Sequence, residues 1–290
     1  MYAGDPNGRP FAPFRGQFKN HLSRRSGERE KRRSGEWEFS ASPLPSFPRS
    51  AFCFMRTLVA TFAYNEGEKI RRTIARHPKD RAYDLLVMDD GSTDGALDDL
   101  PSEDVMVLRN SENQGIGAAM KQVFEFALKH EYDILVIQAG NDKDDPLEIP
   151  RLLAPILANK ADFVQGSRFL PGGGYGNIPG YRVLATRFIH PFLFSLAVGK
   201  RITESTNGFR AFRTLILRDP GINWHQSWLD KYELEPYLLY RTIQLGYRHC
   251  EVPVTKIYPP HKLGYTKMKP ITGWWSILRP IFYLWLGLKK

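Results

Sequence analysis

The stretch Leu85-Leu86-Val87-Met88-Asp89-Asp90-Gly91-Ser92-Thr93-Asp94 decides the fold class. Four apolar residues run into two adjacent carboxylates and then a turn. A short apolar run closed by turn residues reads as a buried strand. Strands buried on both faces belong to parallel sheets covered by helices. In such sheets ligands bind just beyond the carboxyl ends of the strands. Two carboxylates there are costly unless they meet donors or a cation. Ser92, Thr93 and Asp94 are also good helix caps, which accounts for the turn but less well for Asp89 and Asp90.

The neighbouring segments repeat this grammar. Upstream, a strand at 57–63 enters the loop Ala63-Tyr64-Asn65-Glu66-Gly67, and a helix at about 67–77 stops at His77-Pro78. Downstream, a short helix is expected at 94–100, then a strand at 104–109 and a helix at 115–130. A strand at 133–138 runs into the acidic loop Ala139-Gly140-Asn141-Asp142-Lys143-Asp144-Asp145-Pro146, followed by a helix from Leu147 to Asn159. A strand at 162–166 leads to the glycine-rich loop 171–180. Four successive strand–helix units predict an α/β fold with a mostly parallel sheet and right-handed crossovers.

The second half is less regular. Residues 180–199 are mostly apolar and aromatic, with Arg182, Arg187 and His190 interspersed. A helix is expected at 231–245 and a strand at 247–258. The end, 271–288, is apolar and tryptophan-rich but broken by Arg279-Pro280. It suits a membrane interface; the alternative is a core or oligomer-interface helix, which leaves homo-oligomerisation open.

The 290 residues carry a formal net charge of +10, which points to an anionic partner such as nucleic acid, phospholipid head groups or a phosphorylated substrate without choosing among them. Half of that excess lies in residues 1–50, with ten Lys and Arg against five Asp and Glu. This Gly-, Pro-, Ser- and Arg-rich extension is expected to be disordered. Because Arg56 to Phe62 reads as a first strand, Met55 is an alternative start. A nucleic-acid partner would rest on this arm alone and is not expected. Two distant cysteines, Cys53 and Cys250, allow neither a disulfide framework nor a zinc spacing. No run of 18 or more uncharged apolar residues is present. No G-x-G-x-x-G follows the first strand, which disfavours a dinucleotide-binding dehydrogenase.

The ordered set Tyr64-Asn65-Glu66, DDGSTD at 89–94, NQGIGAA at 113–119, the acidic loop, GSRF at 166–169 and TNGFRAF at 206–212 resembles the family 2 glycosyltransferases. The dolichyl-phosphate mannose synthase type is the nearest group. The resemblance spans roughly residues 56–260. It implies the nucleotide-diphospho-sugar transferase fold and inverting transfer from a nucleotide sugar to an acceptor. That acceptor is a polyprenyl phosphate, or a saccharide in cell-surface glycan assembly, with Mg or Mn as cofactor. The implied organisation is an extension at 1–54, a transferase domain at 55–260 and a membrane- or partner-facing segment at 261–290. A cytoplasmic enzyme, peripheral at the inner face of a membrane, is expected.

By the same resemblance, Tyr64 packs on the donor base and Asp90 accepts from its ring N–H. Asn65 and Glu66 shape that pocket, and Asp89 is structural or touches the ribose. Arg210 and Arg168 meet phosphate; a structural ion pair is the alternative for Arg168. Glu233 or Glu235 supplies a base if the acceptor is a hydroxyl, whereas an ionised phosphate needs none. Lys262, Lys267 and Lys269 close over the diphosphate or lie on anionic lipid.

One departure stands out. The family has Asp-x-Asp after the fourth strand, but Gln138 and Gly140 occupy those positions here, with Asp142 where the family has Gln. Three readings remain open. Asp142, with Gln138 or Asp144, holds the metal; Lys143 partly substitutes for a weakened metal site; or the loop is solvated and the protein is a retired nucleotide-sugar binder.

Overall fold

The computed structural model describes residues 55–100, 104–259 and 272–289. The extension 1–54 and the basic segment with Lys262, Lys267 and Lys269 lie outside the described residues.

The apolar runs become strands where expected: β1 (Thr57–Ala63), β2 (Asp84–Asp89), β3 (Met106–Arg109), β4 (Ile134–Ala139) and β5 (Phe163–Ser167). A short β6 (Gly174–Gly176) follows, then β7 (Arg210–Arg213), β8 (His249–Pro253) and β9 (Thr255–Ile257). The helices are α1 (Glu68–Ala75), α2 (Ile116–Lys129), α3 (Ile149–Leu157), α4 (Gly180–Leu184), α5 (His190–Val198), α6 (Leu234–Gln244) and α7 (Thr272–Trp285). A π-helical turn, 185–189, joins α4 to α5.

The main sheet has the order β3-β2-β1-β4-β7-β5-β8. β3, β2, β1 and β4 are mutually parallel; β7 lies antiparallel between β4 and β5. The sheet is thus mixed at one point, where the TNGFRAF segment inserts between β4 and β5. β1 alternates Leu58, Ala60 and Phe62 into the core on one face and Val59 and Ala63 into that on the other. Phe124 of α2, Phe212 and Trp224 fill the first; Ile70 of α1 with Ile149 and Leu152 of α3 fill the second. Period-two alternation between two apolar layers is why the strands read as continuous apolar runs.

Two expected elements differ. No helix forms at 94–100; Asp94 instead spends its side chain on Gly67 N–H (2.8 Å) and Ala96 N–H (3.1 Å), and Gly95 takes φ +67°. Ala96 and Leu97 are still buried against the core, so the segment packs as turns rather than as a helix. The expected strand 247–258 is two: β8 pairs with β5 as far as Pro253, then β9 pairs with β6.

Strand order reverses between β1 and β4: β2 and β3 extend to one side of β1, and β4 lies on the other. A crevice opens at such a switch point, beyond the carboxyl ends of the strands. The loops after β1, β2 and β4 meet there.

Candidate active site

The loops after β1 and β2 are zipped together by the motif residues themselves. Asn65, at φ +48°, accepts from Thr93 N–H (2.8 Å), and its own N–H donates to Ser92 Oγ (2.9 Å). Asp89 is fully buried; it accepts from Ser92 N–H (2.9 Å) and pairs with Arg109 Nε (2.9 Å). Asp90 accepts from Asn110 Nδ2 (2.8 Å), Gln114 N–H (3.0 Å) and Gly115 N–H (2.9 Å). Gly91 is required: at φ +77° its backbone lies so near Glu112 that a Cβ would sit 2.5 Å from the Glu112 carbonyl carbon. Asp89 and Asp90 therefore hold the floor, and three donors already occupy Asp90. The lone-pair capacity of a carboxylate leaves room for about one further donor there. Tyr64 is 38% exposed at the edge of this floor, and Glu66 pairs with Lys69 (2.6 Å).

The acidic loop after β4 distributes its carboxylates among separate partners. Asp142, at φ +57°, pairs with Arg76 (3.0 Å) and receives Arg76 together with Asp145 (3.0 Å). Asp144 is buried, bonded to Lys256 and to Ala139 N–H (3.3 Å). Gln138 is fully buried, its Oε1 3.4 Å from the Thr61 hydroxyl. Gly140 has no room for a side chain: a Cβ would lie 2.6 Å from Phe62 O and 2.7 Å from Ile70 Cδ1. Among the described residues no three His, Cys, Asp or Glu side chains come together as a metal site. The set Asp142, Gln138 and Asp144, expected to gather around Mg or Mn, is not gathered. Each carboxylate is committed to an arginine or lysine, so these residues do not fit a divalent cation.

Positive charge collects beside this loop instead. Lys143 lies with Nζ 4.3 Å from the Tyr258 ring centroid. Burial, and then the Lys256 charge, push its pKa down to about 7. Lys256 is buried and reaches Asp144 and Asn207 Oδ1 (3.1 Å). Buried Arg182 is close enough to disfavour the Lys143 charge as well. Lys256 and Tyr258 were not singled out from the sequence, and Arg182 was noted there only as a charge within the apolar stretch 180–199. For Lys256 a signal exists: Val254, Lys256 and Tyr258 alternate on one buried face.

The arginines expected at phosphate are spent inside the protein. Arg168 forms a bidentate pair with Glu204 (2.6 and 2.8 Å) and a bond to Thr206 (3.1 Å). Burial opposes its charge, but Glu204 outweighs burial and holds its pKa above the ordinary value. Arg210, 1% exposed, donates to Asn207 O (2.7 Å), Glu235 O (3.0 Å) and Glu235 Oε1 (3.2 Å). It therefore orients Glu235. The two carboxylates at the start of α6, Glu233 just before it and Glu235 in its first turn, part company. Glu233 is fully buried and bonded to Arg279, tying α6 to α7, whereas Glu235 is partly exposed.

α7 is a core helix on one side: Ile281 and Leu284 are buried, and His190 Nε2 meets Ile277 O (3.3 Å). Trp275 and Trp285 of the same helix are exposed. Tyr181, Leu184, Phe188, Ile189, Phe192 and Leu196 form a further exposed apolar strip on the α4–α5 run. A groove of about 370 Å³ lies between that run and the glycine-rich loop, lined by Arg168, Phe169, Tyr175 and Arg187.

The sequence profile described as Glycosyl transferase family 2 matches residues 58–219, more than half of the chain. The chain belongs to this family. It is 33% identical over 242 residues to a polyprenol monophosphomannose synthase of Mycolicibacterium smegmatis, covering 81% of this chain and 88% of that protein. An undecaprenyl-phosphate mannosyltransferase of Micrococcus luteus is 33% identical over 222 residues, covering 74% and 88%. Glucosyl-3-phosphoglycerate synthase of Mycobacterium tuberculosis, solved with Mn2+, UDP and glucosyl-3-phosphoglycerate, superposes with a TM-score of 0.57. That match has 20% identity, covers 81% and 80% of the two chains, and speaks to fold alone. The protein is a glycosyltransferase with the nucleotide-diphospho-sugar transferase fold, and a catalytically retired protein finds no support in these relatives.

Proposed function

We propose that this glycosyltransferase moves a hexose, with inversion, from a nucleoside-diphosphate donor to a polyprenyl phosphate at a membrane surface. The observation that carries the reading is the exposed apolar strip of α4 and α5 beside the groove containing Arg187. An apolar helical face with a cation at its edge suits the head-group boundary of an anionic bilayer. No helix among the described residues is long and apolar enough to cross a membrane, so contact would be from one side. Both named relatives carry a polyprenyl or undecaprenyl acceptor and mannose in their names, which supports the acceptor class and makes mannose the first sugar to test. A role in cell-surface glycan assembly follows from that acceptor.

The donor would lie above the switch point, its base on Tyr64 with Asn65, Glu66 and the last open site of Asp90 around it. The acceptor phosphate would enter by the groove, where Arg187 stacks on Phe169 at 5.7 Å. Its oxygen is ionised and attacks without a base. Glu235 would matter only for a hydroxyl acceptor. Lys267 would approach the diphosphate or the lipid.

The test is release of nucleoside diphosphate from GDP- and UDP-linked mannose, with and without vesicles carrying undecaprenyl phosphate. Release that depends on the polyprenyl phosphate, with sugar recovered in the lipid, is the expected result. Release that instead follows a soluble saccharide acceptor would replace the lipid reading. Phe188→Ser with Phe192→Ser should reduce vesicle binding while leaving the fold intact, because both side chains are exposed.

A further inference from the structure

The changed acidic loop is built into the packing. Gly140, where the family resemblance expects an aspartate, cannot carry a Cβ without meeting Phe62 O and Ile70 Cδ1. Gln138, at the other such position, is fully buried beneath the loop with Thr61. Three residues beyond Gly140 the chain presents a lysine instead. Two backbone ties hold it against a second lysine: Ile257 N–H donates to Lys143 O (3.0 Å), and Asp144 bridges to Lys256. Asp144 neutralises Lys256. Among the described residues Lys143 makes no salt bridge; its ammonium rests over the Tyr258 ring. With Lys256 cancelled by Asp144, Lys143 is a cation without a salt bridge in a half-buried site, carried by the loop that leaves β4 at the switch point, where an α/β sheet binds its ligand.

We propose that Lys143, with Lys256 behind it, supplies the positive charge that stabilises the donor diphosphate in place of a divalent cation, so that donor binding and sugar transfer need no added metal. The proposal rests on the nucleotide-sugar reading above. In the step, the bond from the sugar C1 to the β-phosphate oxygen breaks and its electron pair goes to that oxygen. A bond forms between C1 and the acceptor phosphate oxygen, and no proton moves. The departing diphosphate gains one negative charge, and an ammonium fixed beside it in a poorly hydrated site lowers the barrier without reorganising. A lysine fulfils this role as a compact point charge with three donors.

The experiment is calorimetric titration of GDP and UDP into the full chain, once with EDTA and once with Mn2+, alongside GMP and UMP. Lys143→Gln and Lys143→Arg are titrated in the same way, with melting temperatures recorded for each. Expected is diphosphate binding in EDTA within about threefold of that in Mn2+. Lys143→Gln should weaken the diphosphate at least tenfold in EDTA, change the monophosphate less than twofold, and melt like the parent. Lys143→Arg should recover most of the loss. Lys256→Gln is a poorer probe because it strands buried Asp144. Binding that vanishes in EDTA and returns with Mn2+ would overturn the proposal, as would Lys143→Gln binding the diphosphate as tightly as the parent. Binding of no nucleotide under either condition would remove the donor reading itself.

Discussion

Gly140→Ala should destabilise the protein, and Gly140→Asp should not create a metal site. The added Cβ would lie 2.6 Å from Phe62 O, the same oxygen that accepts Gly140 N–H at 2.8 Å. Relief requires moving the loop away from β1, which lengthens that hydrogen bond, or displacing Ile70 Cδ1 in a packed core. Overpacking typically costs about 1–3 kcal/mol. A weakened backbone bond adds about 0.5–1.5 kcal/mol. The sum is roughly 2–4 kcal/mol, a fall in Tm of about 4–16 °C for a domain of this size. Gly180→Ala is the control, since nothing lies within 4 Å of its added Cβ; its Tm should hold. Urea unfolding followed by circular dichroism gives the free energies, and calorimetry with Mn2+ tests the aspartate. Gly140→Ala as stable as the parent would refute the packing argument. Gly140→Asp that folds and binds Mn2+ tightly would show that the loop tolerates the ligand it lacks.

Glu204→Gln should cost about 3–5 kcal/mol, because it leaves Arg168 buried without its counter-charge; the urea midpoint reads it. His77 and His190 are buried, and burial is the leading cause that lowers each from 6.5 to about 4. A depressed histidine binds its proton more readily when unfolded, so its stabilisation is complete above pH 6.5 and is lost as pH falls towards 4. The loss is up to about 3 kcal/mol for each. Tm measured from pH 7.5 to 4.5 should fall across that window, and His190→Asn should flatten the slope. Glu235→Gln should slow transfer to a polyprenyl phosphate by less than about tenfold, since no proton must be taken, whereas loss of a needed base costs about 100-fold or more. Comparing rates for phosphate and hydroxyl acceptors decides it.

Much of the frame was legible because it is local. The runs at 57–63, 84–89 and 133–138 alternate into two apolar layers, and that pattern needs no knowledge of partners. The motif order from Tyr64 to Phe212 located the loops that meet at the switch point. The expected helix at 94–100 failed because Asp94 found a better partner in Gly67 across the crevice. The antiparallel insertion of β7 was illegible because a four-residue strand carries no sign of its direction. At 180–199 the sequence showed apolar residues without saying which would be covered.

The sequence by itself determined the α/β class, the family and the absence of acid at positions 138 and 140. Composition and short-range order carry all three. Only the tertiary structure decided which charges cancel. Arg168 meets Glu204 across 36 residues, and Lys256 meets Asp144 across 112. Arg279 meets Glu233 across 46. Such pairs form because a buried charge must find its counter-charge wherever the chain brings one, and they leave Lys143 over the Tyr258 ring without a salt bridge among the described residues.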